Sequence, residues 1–304
     1  MEYGDPNFWQ PHFSDKCSIN VRYHSMSDGV QILSIYTMPN NPKSTKHPVV
    51  LIPGWFSQIF AWEFATRVIS EDIPLLYIET REKNSSKLDR KKSLDMGVER
   101  LTEDVEKVLA DYNELSFSNC IAVGSSLGGS IWIDYLATRQ SMPWVSVLVG
   151  PNPKFKFPPV IGKLLLSLPL FMIGLARKYV KWHILKFRLD PKKEPEQAQK
   201  YIRTFDEADS WKIRQSARHV TKFNGWELLS QINSNVILAG ASSDKLHAAE
   251  RTIRIGKKIR GSKYIDFKSN KRAHDENFGN FLIELSLDHE IPDIQLIENV
   301  KLKK

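Results

Sequence analysis

Short runs of aliphatic and β-branched residues alternate with stretches of helical periodicity along most of this chain. That alternation restricts the fold more than any other feature of the sequence. Ser18 to His24 and Gln31 to Thr37 read as strands joined around Asp28-Gly29, a hairpin signal. Pro48 to Ile52 is a short continuous apolar run, as a buried parallel strand gives, Leu75 to Ile78 reads as another buried strand, and Cys120 to Val123, Val145 to Val149, Asn235 to Ala239 and Lys263 to Phe267 read as further strands. Between them, Phe60 to Ser70, Leu94 to Leu115, Leu127 to Arg139, Ala248 to Ile259 and Asn277 to Leu287 read as helices. In the second of these, Val98, Leu101, Val105 and Val108 recur at helical spacing. The polar stretch before it reads as a loop. Strands and helices in this order predict an α/β fold, with a mainly parallel eight-stranded sheet covered on both faces by right-handed crossovers.

From Pro151 to about Asn224 the rhythm stops, and afterwards it resumes. The division expected is therefore a core in two parts, 17–150 and 225–287, an inserted helical lid at 151–224, and a C-terminal tail at 288–304. A chain of 304 residues, 41% hydrophobic, is long enough to bury such a core without disulfide or metal staples. The net charge of +8 is concentrated: residues 151–200 hold eleven Lys or Arg against three acids. Segregation of this kind suits an anionic partner such as a membrane surface, and equally a solvated helix face. Nucleic acid is not expected, because no reader motif accompanies the charge. Cys17 and Cys120 are too few for a disulfide framework and fit a reducing compartment. No apolar run is long enough to span a membrane, and the opening residues lack the basic-then-apolar pattern of a secretory signal. A cytoplasmic protein, at most peripheral to a membrane, is the expectation.

Chemistry enters at Gly124-Ser125-Ser126-Leu127-Gly128, a G-x-S-x-G pattern. With Gly at about 7% of residues, chance alone supplies such a pattern in about one chain in ten. The context is more specific, because the pattern follows a buried strand and opens a helix. Glycines on either side permit a sharp turn that lifts the Ser126 hydroxyl clear of the sheet. The helix behind it offers backbone N–H groups and a positive dipole end. Ser126 is the candidate nucleophile, and Ser125 fills the first variable position.

Here the chain resembles the α/β-hydrolase family, over nearly everything from Ser18 to about Leu287. That family orders its triad as nucleophile, acid, histidine. The resemblance implies Asp244 as the acid, in the loop after the strand Val236 to Ala239, where it would orient an imidazole. An acid after the preceding strand is the family's alternative, but Val145 to Phe157 contains no carboxylate. His274, in a short polar loop after the last strand, matches the catalytic base. Of the other histidines, His247 reads as a helix-surface residue and His289 lies too far along. The oxyanion donors implied are the backbone N–H groups of Leu127 and of Trp55, the latter in Pro53-Gly54-Trp55-Phe56-Ser57. The family usually carries His where this chain has Pro53, which puts the bracing of that loop in question.

The lid run from Leu164 to Ala176 holds only Ser167 as a polar residue, and Arg177 to Arg188 mixes aromatics with bases. Phe56, Leu168, Phe171, Met172 and Leu175 are the candidate pocket and lid residues. These features lead to an expected serine hydrolase, esterase- or lipase-like, acting on an ester or thioester with an apolar acyl portion. No cofactor is required, since water releases the acyl group, and no metal-ligand spacing occurs. Acyl transfer, peptidase or haloperoxidase chemistry on the same triad are alternatives, as is a receptor or scaffold that keeps the pocket. The Asp-nucleophile branches, dehalogenases and epoxide hydrolases, are disfavoured by a serine in the elbow.

Overall fold

In a computed structural model of the chain, the expected strands become β1 (Cys17–Ser25), β2 (Gln31–Pro39), β3 (Val49–Ile52), β4 (Leu75–Ile78), β5 (Ile121–Ser125), β6 (Val145–Val149), β7 (Val236–Gly240) and β8 (Lys263–Asp266). The structure describes residues 3–42, 47–156, 178–179, 181–182, 186, 199, 202–204, 206–242, 249–288, 291, 294 and 296–297. The strands form one eight-stranded sheet in the order β1-β2-β4-β3-β5-β6-β7-β8. β1 and β2 pair antiparallel, Cys17 opposite Pro39 through Ser25 opposite Gln31, and β2 meets β4 antiparallel. From β4 through β8 every pairing is parallel. The hairpin turns at Gly29, whose φ of 84° suits a residue without a Cβ.

Every residue of β3 to β7 is buried, because helices cover both faces of the sheet. Period-2 alternation divides these residues between two cores. Val50, Ile52, Leu76, Ala122, Leu148 and Leu238 face one core, built with α3 (Val98–Ala110), α4 (Leu127–Thr138) and α6 (Ala249–Gly256). Val49, Leu51, Leu75, Val123, Val147 and Ile237 face the other, built with α2 (Glu63–Asp72) and α7 (Glu276–Leu287). A short α1 (Pro6–Trp9) adds Trp9 to this second core. α5 (Ser210–Val220) is the one long helix described within 151–224. Most of the expected lid before α5, including Leu168, Phe171, Met172 and Leu175, lies outside the described residues. Among the described residues, no helix is long and apolar enough to cross a membrane.

Two expectations change. The helix read over Leu94 to Leu115 is Val98–Ala110 only, because Gly97 caps its start in extended conformation. Asp95 accepts the Gly97 N–H at 2.8 Å, and its own carbonyl holds Arg81 at 3.0 Å. Leu94 and Leu115 are buried without being helical, so their apolar spacing reports the core and not the helix. The helix read from Phe60 likewise starts later, at Glu63, behind a 3-10 turn at Ile59–Ala61.

The loop after β4 is polar as read, yet it lies inside the protein. Glu79, Thr80, Arg81, Glu82, Lys83, Ser85 and Ser86 are all buried. Charge at this depth persists only where it is paired. Arg81 forks onto Asp104 and Asp28, reaching Asp104 Oδ1 at 2.8 Å and Asp28 Oδ1 at 3.2 Å. Lys212 of α5 closes over the loop, its Nζ donating to the carbonyls of Lys83 at 2.6 Å and Ser86 at 2.7 Å. Burial pushes the Lys212 ammonium down to about 8.

Candidate active site

β5 ends in Ser125, and α4 begins at Leu127, so the chain must reverse at Ser126 alone. It does so with φ 47° and ψ −101°, a conformation that costs an ordinary side chain about 1–3 kcal/mol. The flanking glycines let the turn close this tightly. A Cβ on Gly128 would lie 2.1 Å from the Ile52 carbonyl oxygen, and one on Gly124 would lie 2.4 Å from the Trp132 ring. The turn is held by the Ser126 N–H on Val149 O at 3.0 Å and by the Ser130 N–H on Ser126 O at 3.0 Å. Ser126 is half-buried, whereas Ser125 is 6% exposed. The Leu127 N–H opens α4, among the amides that a helix start leaves without intrahelical partners.

The loop after β3 packs directly on this turn. A Cβ on Gly54 would stand 3.4 Å from Ser126 Cβ and 3.6 Å from the Ser125 carbonyl oxygen, so the loop lies in van der Waals contact with the turn. Past Gly54 the chain turns, with the Ser57 N–H on Gly54 O at 3.0 Å and Phe56 at φ 36°. The Trp55 indole N–H donates to Ser216 Oγ of α5 at 2.8 Å, and the Trp55 and Phe56 rings lie 4.3 Å apart.

His274 sits between β8 and α7, where the sequence pattern expected it. Its Nδ1 is 2.8 Å from the Asn270 carbonyl, an acceptor that fixes the proton on Nδ1 and leaves Nε2 as the basic nitrogen. Nε2 stands 3.4 Å from Ser125 Oγ, and the ring packs 4.4 Å from that of Trp62. The structure thus brings His274 to the Ser125-Ser126 turn, with the neighbouring hydroxyl in contact. A small cavity bounded by Ser125, Gly150, Ala241, Asn270 and His274 separates the ends of β5, β6 and β7.

Asp244 lies outside the described residues, as does His247. The start of its loop is described: the Ser242 N–H donates to Asp266 Oδ1 at 3.0 Å, and the Lys268 N–H donates to the same oxygen at 2.8 Å. Partial burial works against the Asp266 charge, but the hydrogen bonds from Lys268 and Ser242 outweigh it and hold the carboxyl below its ordinary range. Asp266 therefore ties the segment after β7 to the loop that carries His274. Nothing in the residue pattern singled it out, nor Asn270, Glu82 and Lys83. For Glu82 and Lys83 the one legible trace is the run Glu79 to Lys83, five polar residues directly after a fully buried strand with no Gly or Pro between.

Gly54, Ser126 and His274 all follow the carboxyl ends of parallel strands, where open α/β sheets place their sites. No family model and no curated protein sequence matches the chain. Solved structures do. A hydrolase from Pseudomonas aeruginosa is 17% identical with a TM-score of 0.67, over 88% of this chain and 98% of its own. An esterase from Exiguobacterium antarcticum is 18% identical with a TM-score of 0.68, over 88% and 99%. A bromoperoxidase from Bacillus anthracis is 17% identical with a TM-score of 0.69, over 88% and 100%. A sheet of this order, turned at Ser126 and superposing along nearly the whole length of these proteins, is the α/β-hydrolase fold.

Proposed function

We propose that the protein is a serine hydrolase that cleaves a carboxylic ester or thioester with an apolar acyl portion. The observation that carries this reading is Ser126 alone in the left-handed turn at the head of α4, with the basic nitrogen of His274 at the adjoining residue. Ser126 Oγ attacks the carbonyl carbon while His274 Nε2 takes its proton. The tetrahedral oxyanion is held by the N–H groups of Leu127 and Trp55. The same imidazole then protonates the leaving alcohol or thiol, and water releases the acyl group in the reverse sequence. Ser125 lies nearer the strand and is more enclosed, so its contact with His274 reads as the resting position of the ring. Catalytic hydrogen bonds are often long or poorly aligned before substrate binds and tighten in the complex.

Asp244 is the proposed orienter of His274. Because the Asn270 carbonyl already keeps the proton on Nδ1, Asp244→Asn should lose less than the roughly 10⁴-fold seen where the tautomer itself is reversed. The apolar character of the lid run from Leu164 to Ala176 supports the apolar acyl portion. The esterase and hydrolase neighbours support ester hydrolysis, and the bromoperoxidase keeps haloperoxidase chemistry as the alternative. Peripheral contact with an anionic membrane is a further proposal. It rests on Tyr179 and Trp182, 37% and 49% exposed, beside exposed Lys178 and Lys186.

A p-nitrophenyl ester series from acetate to laurate tests the reading. Turnover that rises with acyl length and is lost in His274→Ala supports it. Halide-dependent peroxidation without ester turnover would replace it with the alternative.

A further inference from the structure

We propose that the buried Lys83–Glu82 pair is the brace of the oxyanion loop, and that Lys83 positions the Trp55 N–H through the carbonyl of Gly54. This rests on the hydrolase reading above and adds residues that it does not use. Lys83 and Glu82 follow β4, with side chains 0% and 1% exposed, and their charged groups meet at 2.9 Å. From there the two grip successive peptides of the loop that packs on Ser126. Lys83 Nζ donates to Gly54 O at 2.6 Å, and Glu82 Oε1 accepts the Phe56 N–H at 3.2 Å. The same Glu82 oxygen takes the Thr80 hydroxyl at 2.8 Å, which fixes the carboxylate in its turn.

The geometry of the peptide unit gives this arrangement its consequence. Gly54 C=O and Trp55 N–H belong to one planar peptide, and no peptide among the described residues is cis. In a trans unit the two dipoles point in opposite directions. A cation anchored on the oxygen therefore sets the direction of the N–H on the far side. It also polarises the amide, which makes that N–H a stronger donor. The Phe56 N–H is committed to Glu82 and the Ser57 N–H to Gly54 O, so the loop's geometry is specified on both sides of the Trp55 amide. Pro53, where a bracing histidine was expected, contributes no side-chain donor. The brace comes instead from the neighbouring strand's loop, itself closed by Lys212 on the Lys83 carbonyl. Lys83 is a positioning residue, because it acts on the reaction only through the Gly54–Trp55 peptide.

The experiment compares the wild type with Lys83→Met and with Glu82→Gln/Lys83→Met. It measures kcat and KM on a short soluble p-nitrophenyl ester, the melting temperature, and the rate of fluorophosphonate labelling. Loss of an oxyanion donor costs about 10²–10³-fold in kcat, and a donor that is loosened but present should lose about 10- to 100-fold. Lys83→Met leaves Glu82 buried without its cation and should lower the melting temperature as well. The double variant removes that charge, so its melting temperature should recover while kcat stays at least about tenfold low and KM changes little. A buried ion pair with a merely structural role makes the opposite prediction, that kcat returns with stability. Wild-type kcat in the folded double variant overturns the brace, whether or not the single variant folds. If the wild type takes the label at Ser126, such a result leaves the hydrolase reading standing. A wild type that takes no label overturns both.

Discussion

Adding one methyl group at Gly128 should separate Ser126 from the loop after β3. A Cβ built there lies 2.1 Å from the Ile52 carbonyl oxygen and 3.0 Å from that of Pro53. Carbon and oxygen in ordinary contact stand about 3.3 Å apart, so the overlap is about 1.2 Å. Both neighbours are backbone, one at the end of β3 and one at the root of the loop that follows it, and neither can rotate away. The head of α4 must therefore recede by about 1 Å, carrying Ser126 with it. A displacement of that size costs on the order of 10²-fold in rate, or about 2.7 kcal/mol of transition-state stabilisation. The overpacked junction should also lose about 1–3 kcal/mol of stability. Gly4→Ala is the control, since a Cβ there meets only Tyr23 at 3.6 Å. The assay is kcat on p-nitrophenyl acetate beside urea unfolding of both variants. A folded Gly128→Ala with wild-type kcat would show that the close approach of α4 to β3 does not set the site.

Asp266→Asn should weaken the tie between the segment after β7 and the loop that carries His274, by about 1 kcal/mol at neutral pH. Because the folded carboxyl is held below its ordinary value of 3.8, that contribution is present above this pH and is lost as pH falls through the folded value. Urea unfolding across an acid pH series should show wild type and variant separated at neutral pH, with the gap narrowing as pH falls below the ordinary carboxylate range; a gap that stays constant to the acid end of the series would refute the assignment. Lys178→Gln/Lys186→Gln should reduce co-sedimentation with anionic vesicles at low salt, at about 1 kcal/mol per charge near the surface, while short-ester turnover is spared. Lys181 should matter less, since Asp206 pairs with it at 2.8 Å; absence of wild-type binding at low salt would remove the membrane proposal.

The sheet was legible because its signals are local and redundant. Five central strands buried on both faces read as mostly apolar runs, and Leu75–Ile78 and Val145–Val149 coincide with the strands formed. The turn at Ser126 was legible because its glycines are demanded by contacts with a neighbouring strand and ring. Helix ends were less so. Apolar spacing carries through Leu94 and Leu115, which are buried beyond the helix, and only the capping at Gly97 stops it. The brace left only a polar run directly after a buried strand. Glu79 to Lys83 has the composition of a surface loop, and its burial follows from partners far along the chain, such as Asp104, Gly54 and Lys212. Composition reports whether a residue is charged, and not whether another element brings the charge that lets it be buried. Likewise, the contact of His274 with Ser125 depends on how deep the ring sits beside Trp62, a tertiary distance with no sequence period.

The central claim is that Ser126, and not its neighbour, is the nucleophile. Fluorophosphonate labelling followed by peptide mapping tests it directly, on wild type, Ser126→Ala and Ser125→Ala. The label should map to Ser126 in the wild type and vanish in Ser126→Ala, with ester turnover falling by several orders of magnitude. Ser125→Ala should keep most of both, since it removes only the resting contact of His274. A label on Ser125, or full labelling and turnover in Ser126→Ala, would contradict the account.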